Sequence, residues 1–255
     1  MLGRCLCSAR RQLSVHHRSV SSKVMSTGEV VLDNSAVHIV RKAVGPFAMN
    51  EYLLVCKKTK QAALIDSGES PENYFEGNSG SLPFNITHLL QTHAHVDHVA
   101  GLRSTKSKFS DARIYIHKDE MPVYDQVGKQ ARMFGVPCEL PLPSVDELID
   151  EGMTIQVGAL KFEIIFTPGH SPGGCVFFHN DVTYPFAFVG DLIFRNSIGR
   201  TDLPGSDPKL MKSSICKIVN MLPPKTLLLP GHMDVTFMSK ERASNPFVLE
   251  WVGRK

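Results

Sequence analysis

The run Thr92-His93-Ala94-His95-Val96-Asp97-His98 puts three histidines and one aspartate within six residues. Imidazole nitrogens and carboxylate oxygens are the donors that zinc and iron take from proteins. The whole chain of 255 residues holds 11 histidines, so three in six positions do not read as scattered core or surface residues. What they can do depends on the backbone. In a strand, residues 93, 95 and 97 would share one face. In a loop turning into a helix, Asp97 and His98 would be redirected. His93 and His95 could then grip one metal while Asp97 and His98 reach a second, about 3.5 Å away. The remaining donors must come from far along the chain. His170 ends Phe166-Thr167-Pro168-Gly169-His170, Asp191 ends Val189-Gly190-Asp191, and His232 ends Leu229-Pro230-Gly231-His232. Each closes an apolar stretch and follows a glycine, which allows a tight turn beside the metals.

The elements that must carry these residues follow from the periodicity. Glu29–Leu32 with Val37–Val40, and Tyr52–Cys56 with Ala62–Ile65, predict two hairpins. Asp66-Ser67-Gly68 ends the latter, and a loop rich in Gly, Ser, Asn and Pro runs from Glu69 to Asn85. Ile86–Gln91 predicts the strand that delivers the His/Asp run. A helix is expected over Val99–Phe109, a strand over Arg113–His117 and a helical stretch around Val123–Phe134. Thr154–Val157 with Lys161–Phe166, turning at Gly158, and Cys175–His179 with Phe186–Val189 predict two further hairpins. Ser206-Asp207-Pro208 predicts a helix start, and Pro223-Pro224 its end. Thr226–Leu229 predicts a last apolar strand. The pattern implies an α/β or α+β fold of two face-packed sheets with helices outside, as one domain over residues 29–255.

The HxHxDH cluster followed by distant His, Asp and His resembles the signature of the metallo-β-lactamase superfamily, over roughly residues 36–247. The resemblance implies an αββα sandwich with the site at one edge between the sheets. It implies His93, His95 and His170 as ligands of a first metal. Asp97, His98 and His232 would serve a second, and Asp191 would bridge them. The implied cofactor is two divalent ions, zinc first, with iron or manganese also compatible with such donors. Asp97 and Asp191 are the candidate catalytic carboxylates. Asp66 matches a position that supports the histidines from behind; capping its own turn is the alternative.

Asp191 stands where the commonest β-lactamases of this superfamily use a cysteine, so lactam hydrolysis is not the natural reading. Gly169-His170-Ser171-Pro172-Gly173, Gly190-Asp191-Leu192-Ile193-Phe194, Gly199-Arg200-Thr201-Asp202, Glu241-Arg242 and Asn245-Pro246-Phe247 together resemble the glyoxalase II thioester hydrolases, especially the short ones. That resemblance implies a small-molecule thioester as substrate, derived from glutathione, and attack by hydroxide generated between two metal ions. The helical C-terminal domain that holds glutathione in the longer enzymes has no counterpart before the chain stops at Lys255. Arg200 stands near the position of a glutathione-binding lysine. It could pair with a substrate carboxylate, or form a salt bridge with Asp202. The persulfide dioxygenases, which hold a single iron, are the second resemblance; the equivalent ligands would be His93, His170 and Asp191. Pro230-Gly231-His232-Met233-Asp234 and Ile198 depart from that branch and favour the hydrolase. A scaffold without catalysis is the third reading, and the seven filled ligand positions argue against it.

Composition sets the remaining bounds. Apolar residues make up 42% and charged residues 21%, as in ordinary globular proteins. No run of 18 apolar residues occurs, so no membrane partner is expected. Arg4, Arg10, Arg11, Arg18 and Lys23 precede the first acid, Glu29; the other 23 basic residues face 25 acids. The body is near neutral, and no nucleic-acid partner is expected. Residues 1–25, rich in Arg and Ser and free of acids, have the composition of a transit peptide, with the mitochondrion as expected destination. Cys56, Cys138, Cys175 and Cys216 stand singly among apolar neighbours and are expected to be buried thiols. His38, His88, His117 and His179 are expected to be structural or surface residues, and His117→Gln a mild change.

Overall fold

The computed structural model describes residues 28–71 and 82–253. Residues 1–25, expected to be a transit peptide, and part of the Glu69–Asn85 loop lie outside them. The first sheet contains β1 (Glu29–Asp33), β2 (Val37–Val44), β3 (Met49–Cys56), β4 (Gln61–Ile65), β5 (Asn85–Leu90), β6 (Arg113–His117) and β7 (Glu147–Ile149), adjacent in that order. It is antiparallel from β1 to β4 and parallel from β4 to β7. The helices α1 (Val96–Val99), α2 (Leu102–Lys108), α3 (Met121–Tyr124) and α4 (Val127–Phe134) belong to this half.

The second sheet contains β8 (Thr154–Val157), β9 (Leu160–Phe166), β10 (Cys175–His179) and β11 (Phe186–Gly190). A small hairpin, β12 (Ile193–Phe194) and β13 (Ser197–Ile198), leads to helix α5 (Pro208–Met221). Then come β14 (Leu227–Pro230), β15 (Thr236–Phe237), α6 (Met238–Ser244) and α7 (Pro246–Val252). The strand order is β15-β14-β11-β10-β9-β8.

Alternation along the strands builds three apolar layers. Tyr52, Leu54 and Cys56 of β3 face Phe162, Ile164, Phe177, Phe186 and Phe188 between the sheets. Leu53 and Val55 turn the other way, toward Val99, Leu102 and Val127 of the first helices. Val176, Ala187 and Leu228 turn outward onto Met211, Ile215 and Ile218 of α5. Strands buried on both faces must be apolar throughout, and β10 and β11 read that way. Helix, sheet, sheet and helix are therefore stacked in four layers, the αββα sandwich that the resemblance implied.

Several boundaries differ from the sequence reading. The helix expected over Val99–Phe109 starts earlier and is broken into α1 and α2. At the break the Gly101 N–H bonds to the Ser67 carbonyl, 2.9 Å away, instead of continuing α1. The stretch Val123–Phe134 is likewise two helices, α3 and α4, and Gly135 closes the second in a left-handed cap at φ +66°. The expected start of α5 holds, with Asp207 as the cap, accepting from Lys209 and Leu210 N–H at 2.7 and 3.1 Å. Cys56 and Cys175 are buried as expected, but Cys138 and Cys216 are only half-buried. Cys138 lies at the edge of the outer core in the irregular chain after α4, and Cys216 lies where α5 passes α7, its thiol 3.9 Å from the Trp251 carbonyl.

Among the described residues, the four histidines outside the candidate ligands all have partners. His38 meets Asp33 at 3.0 Å, His88 stacks on Tyr115, and His179 Nδ1 donates to the Lys161 carbonyl. For His117 the packing predicts a costlier replacement than the mild one expected from the sequence. His117 is fully buried, its ring stacks on Phe166 at 4.4 Å, and its Nδ1 accepts from Asp119 N–H. His117→Gln should cost roughly 1–3 kcal/mol in urea unfolding, because it removes the stacked ring and strands buried polar groups. Phe177→Ala, at the centre of the inter-sheet layer, should cost about 3–5 kcal/mol by the same measurement. A midpoint unchanged in either variant would contradict this packing.

Candidate metal centre

Five strands carry the candidate residues at their C-terminal ends. Asp66 follows β4, the His93–His98 run follows β5, His170 follows β9, Asp191 follows β11 and His232 follows β14. β4 and β5 are parallel. β9 and β11 both run antiparallel to β10, and β14 runs parallel to β11. Within each sheet the carriers therefore point one way, and their ends meet at one edge. The His/Asp run is a loop turning into α1, so Asp97 and His98 leave the line of His93 and His95.

All seven predicted ligands converge. His93, His95 and His170 form one group of donor atoms within 4.8 Å of one another, and Asp97, His98 and His232 form another. His95 Nδ1 lies 2.9 Å from His170 Nε2, and His232 Nε2 lies 3.2 Å from Asp97 Oδ2. Asp191 lies between the groups. Its Oδ1 is 3.4 Å from His98 Nε2, and its Oδ2 is 3.4 Å from His170 Nε2 and 3.5 Å from His232 Nε2.

The donor chemistry fits cations. His93 Nε2, His98 Nε2 and Asp191 Oδ1 are buried and have no hydrogen-bond partner. Buried polar atoms of this kind are costly unless a ligand satisfies them. The far sides of the rings are held. His98 Nδ1 faces Asp66 Oδ2 at 2.9 Å and His170 Nδ1 faces the Arg200 carbonyl at 2.8 Å, which leaves each Nε2 directed inward.

Of the two roles left open for Asp66, its bonds fit the one behind the histidines. Its Oδ1 accepts from Thr92 N–H at 2.7 Å, its Oδ2 accepts from the Thr92 hydroxyl at 2.8 Å, and the same Oδ2 meets His98. It does so from a left-handed backbone, φ +57°, which an aspartate tolerates better than most residues. The glycines before Asp191 and His232 serve different needs. Gly190 turns at φ +49° with Thr92 Oγ1 only 2.6 Å from where a Cβ would stand. Gly231 needs no unusual φ; a Cβ there would lie 2.3 Å from Asp191 Oδ1.

Other positioning residues carry no local sequence signal, because their partners are distant in the chain. The Glu120 carboxylate accepts from Ala94 N–H at 2.9 Å and Gly173 N–H at 2.6 Å, clamping the loop of His93 and His95 to the loop of His170. Gln130 accepts from Val96 N–H. Asn50 and Tyr52 side chains both donate to the Pro230 carbonyl, at 3.0 and 2.7 Å, fixing the turn before His232. The Ser206 hydroxyl donates to the His170 carbonyl. Arg200 lines the cavity, but its guanidinium makes a two-pronged pair with Asp202 at 2.6 and 2.8 Å. Of the two roles foreseen for it, the salt bridge is the one formed.

Electrostatics separate the donors. Burial, then the neighbouring imidazoles, push His93 well below the ordinary histidine range and His95 down to about 3. Burial would lower His98 too, but Asp97, Asp191 and Asp66 outweigh it and raise it well above that range. Burial would raise Asp191, yet His98 and the other imidazoles hold it below the usual carboxylate range. His93 and His95 are thus neutral and ready to ligate, whereas His98 keeps a proton until a cation replaces it.

Residues 44–232 match the Metallo-beta-lactamase superfamily. The chain belongs to this superfamily. Among its relatives are a probable metallo-hydrolase, YqgX, of Bacillus subtilis (strain 168), and the hydroxyacylglutathione hydrolase GloC of Haemophilus influenzae. The first is 31% identical over 82% of this chain and 96% of the relative. The second is 31% identical over 76% of this chain and 91% of the relative. The crystal structure of TTHA1623 in a di-iron-bound form is 33% identical, with a TM-score of 0.70 over 81% of this chain and 98% of that one. Superfamily metal dependence agrees with the His/Asp cluster.

Zinc binding to metal-free protein at pH 7 should release about one proton or more per chain, because His98 must give one up. Calorimetry in buffers of differing ionisation enthalpy reads that number. Zero proton release would contradict the paired state of His98.

Proposed function

We propose that this protein is a dinuclear metallohydrolase of thioesters, similar in activity to the glyoxalase II enzymes. The observation that carries the reading is the second complete donor group, Asp97, His98 and His232, beside the first. A single-iron dioxygenase site would use only His93, His170 and Asp191. The likeness to GloC of Haemophilus influenzae supports a thioester substrate, and the basic, acid-free residues 1–25 support delivery to the mitochondrion.

His93, His95 and His170 would hold one ion and Asp97, His98 and His232 the other, with Asp191 between. Divalent ions in such a site supply Lewis acidity toward a carbonyl oxygen and lower the pKa of water. The protein's own groups do the rest. Asp66 and the Arg200 carbonyl fix the tautomers of His98 and His170. Asp97 and Asp191 both reach the cavity, where their carboxylates can take a proton from water and return it to the departing sulfur. Water adds to the carbonyl carbon, the C–S bond breaks, and a carboxylic acid and a thiol leave. Cys175 takes no part: it is buried, and burial pushes its thiol up.

Zinc-loaded protein should release thiol from S-D-lactoylglutathione or another acyl thioester, followed with a thiol-reactive dye. Asp191→Asn should keep the circular dichroism spectrum and lower kcat/KM about a thousandfold, the several kcal/mol that a metal contributes to a charged transition state. Full activity in Asp191→Asn would refute the bridging role. Oxygen uptake with glutathione persulfide, and no thioester hydrolysis, would replace this proposal with the dioxygenase.

A further inference from the structure

The donor cluster opens into a cavity of about 370 Å³ whose lining is mostly apolar. Phe194, Ile198 and Leu203 line it beside the cluster, with the Phe194 ring edge-on to His232 at 5.9 Å. Phe47, Phe134 and Met233 form its rim and are 44%, 38% and 54% exposed. The Phe47 and Phe134 rings come from the β2–β3 turn and the end of α4, and meet edge to face at 6.3 Å. Two aromatic rings left in water at the mouth of a cavity are a surface waiting for an apolar group.

Charge points the same way. Among the described residues, Arg200 is the only lysine or arginine lining the cavity. Its Nε and Nη2 are paired with Asp202, so a carboxylate arriving there meets the repulsion of that acid. A substrate recognised through the carboxylates of glutathione would find no unpaired cation in this wall.

We infer that the substrate is selected by an apolar, uncharged acyl group, aryl or medium-chain alkyl, and not by a charged thiol. This rests on the thioester-hydrolase reading and names the substrate class of the same site. The acyl and thiol parts share the carbon that must reach the donor cluster; the apolar acyl chain is the part that fits the wall of Phe194, Ile198 and Leu203 and extends to the rim rings of Phe47 and Phe134. The thiol part extends through the open mouth into water.

The test compares kcat/KM of the zinc-loaded protein for acetyl, butanoyl, hexanoyl, phenylacetyl and D-lactoyl thioesters. Each is presented on glutathione and on neutral N-acetylcysteamine. The expected result is at least a tenfold rise from acetyl to hexanoyl. N-Acetylcysteamine and glutathione esters of one acid should agree within about threefold. Phe134→Ala, at a partly exposed site, should reduce the hexanoyl-to-acetyl ratio several-fold. A flat chain-length profile, a D-lactoyl preference, or a more than tenfold preference for glutathione over N-acetylcysteamine would overturn the inference and leave the hydrolase intact. Hydrolysis of no thioester at all would overturn both.

Discussion

The Asp191 carboxylate has Oδ1 facing His98 and Oδ2 facing His170 and His232, so one side chain touches both donor groups. The rest of the structure depends on that juxtaposition. Five imidazoles and two carboxylates at a buried edge would repel or go unpaired without compensation. A cation between them turns the same arrangement from a cost into a binding site. The orphaned nitrogens of His93 and His98 show that the protein does not satisfy them itself.

Holding this arrangement requires a rigid frame, and the two sheets provide it. The carriers β4, β5, β9, β11 and β14 send their C-terminal ends to one edge, and the phenylalanine-rich layer between the sheets locks those ends in register. The loops beyond the strands are then tied to each other. Glu120 joins two of them, Asp66 joins the β4 and β5 ends, and Asn50 with Tyr52 secures the β14 end. Most of these ties act on backbone N–H or C=O groups, so the frame holds the candidate ligands in place without an ion. Such preorganisation keeps a site's donors at productive distances.

Much of this could be read from the sequence, for identifiable reasons. The HxHxDH run carries its chemistry within six residues, and β11 and β14 announce themselves by apolar runs ending at glycine or proline. The seven candidate ligands were therefore legible. Glu120, Gln130 and Asn50 were not, because their roles exist only through partners brought near by the fold. Strands β7, β12, β13 and β15, of two or three residues each, are too short for any period to register. Arg200 shows a different limit. Its place near the site was legible, but the partner it chose, Asp202, was a matter of side-chain geometry.

Metal stoichiometry separates a dinuclear from a mononuclear centre. Protein beginning near Thr27 would be saturated with zinc, freed of excess ion without chelators, and analysed by elemental mass spectrometry. Two ions per chain is the result that Asp191 and its two flanking donor groups predict. One ion per chain at saturation would contradict the dinuclear centre.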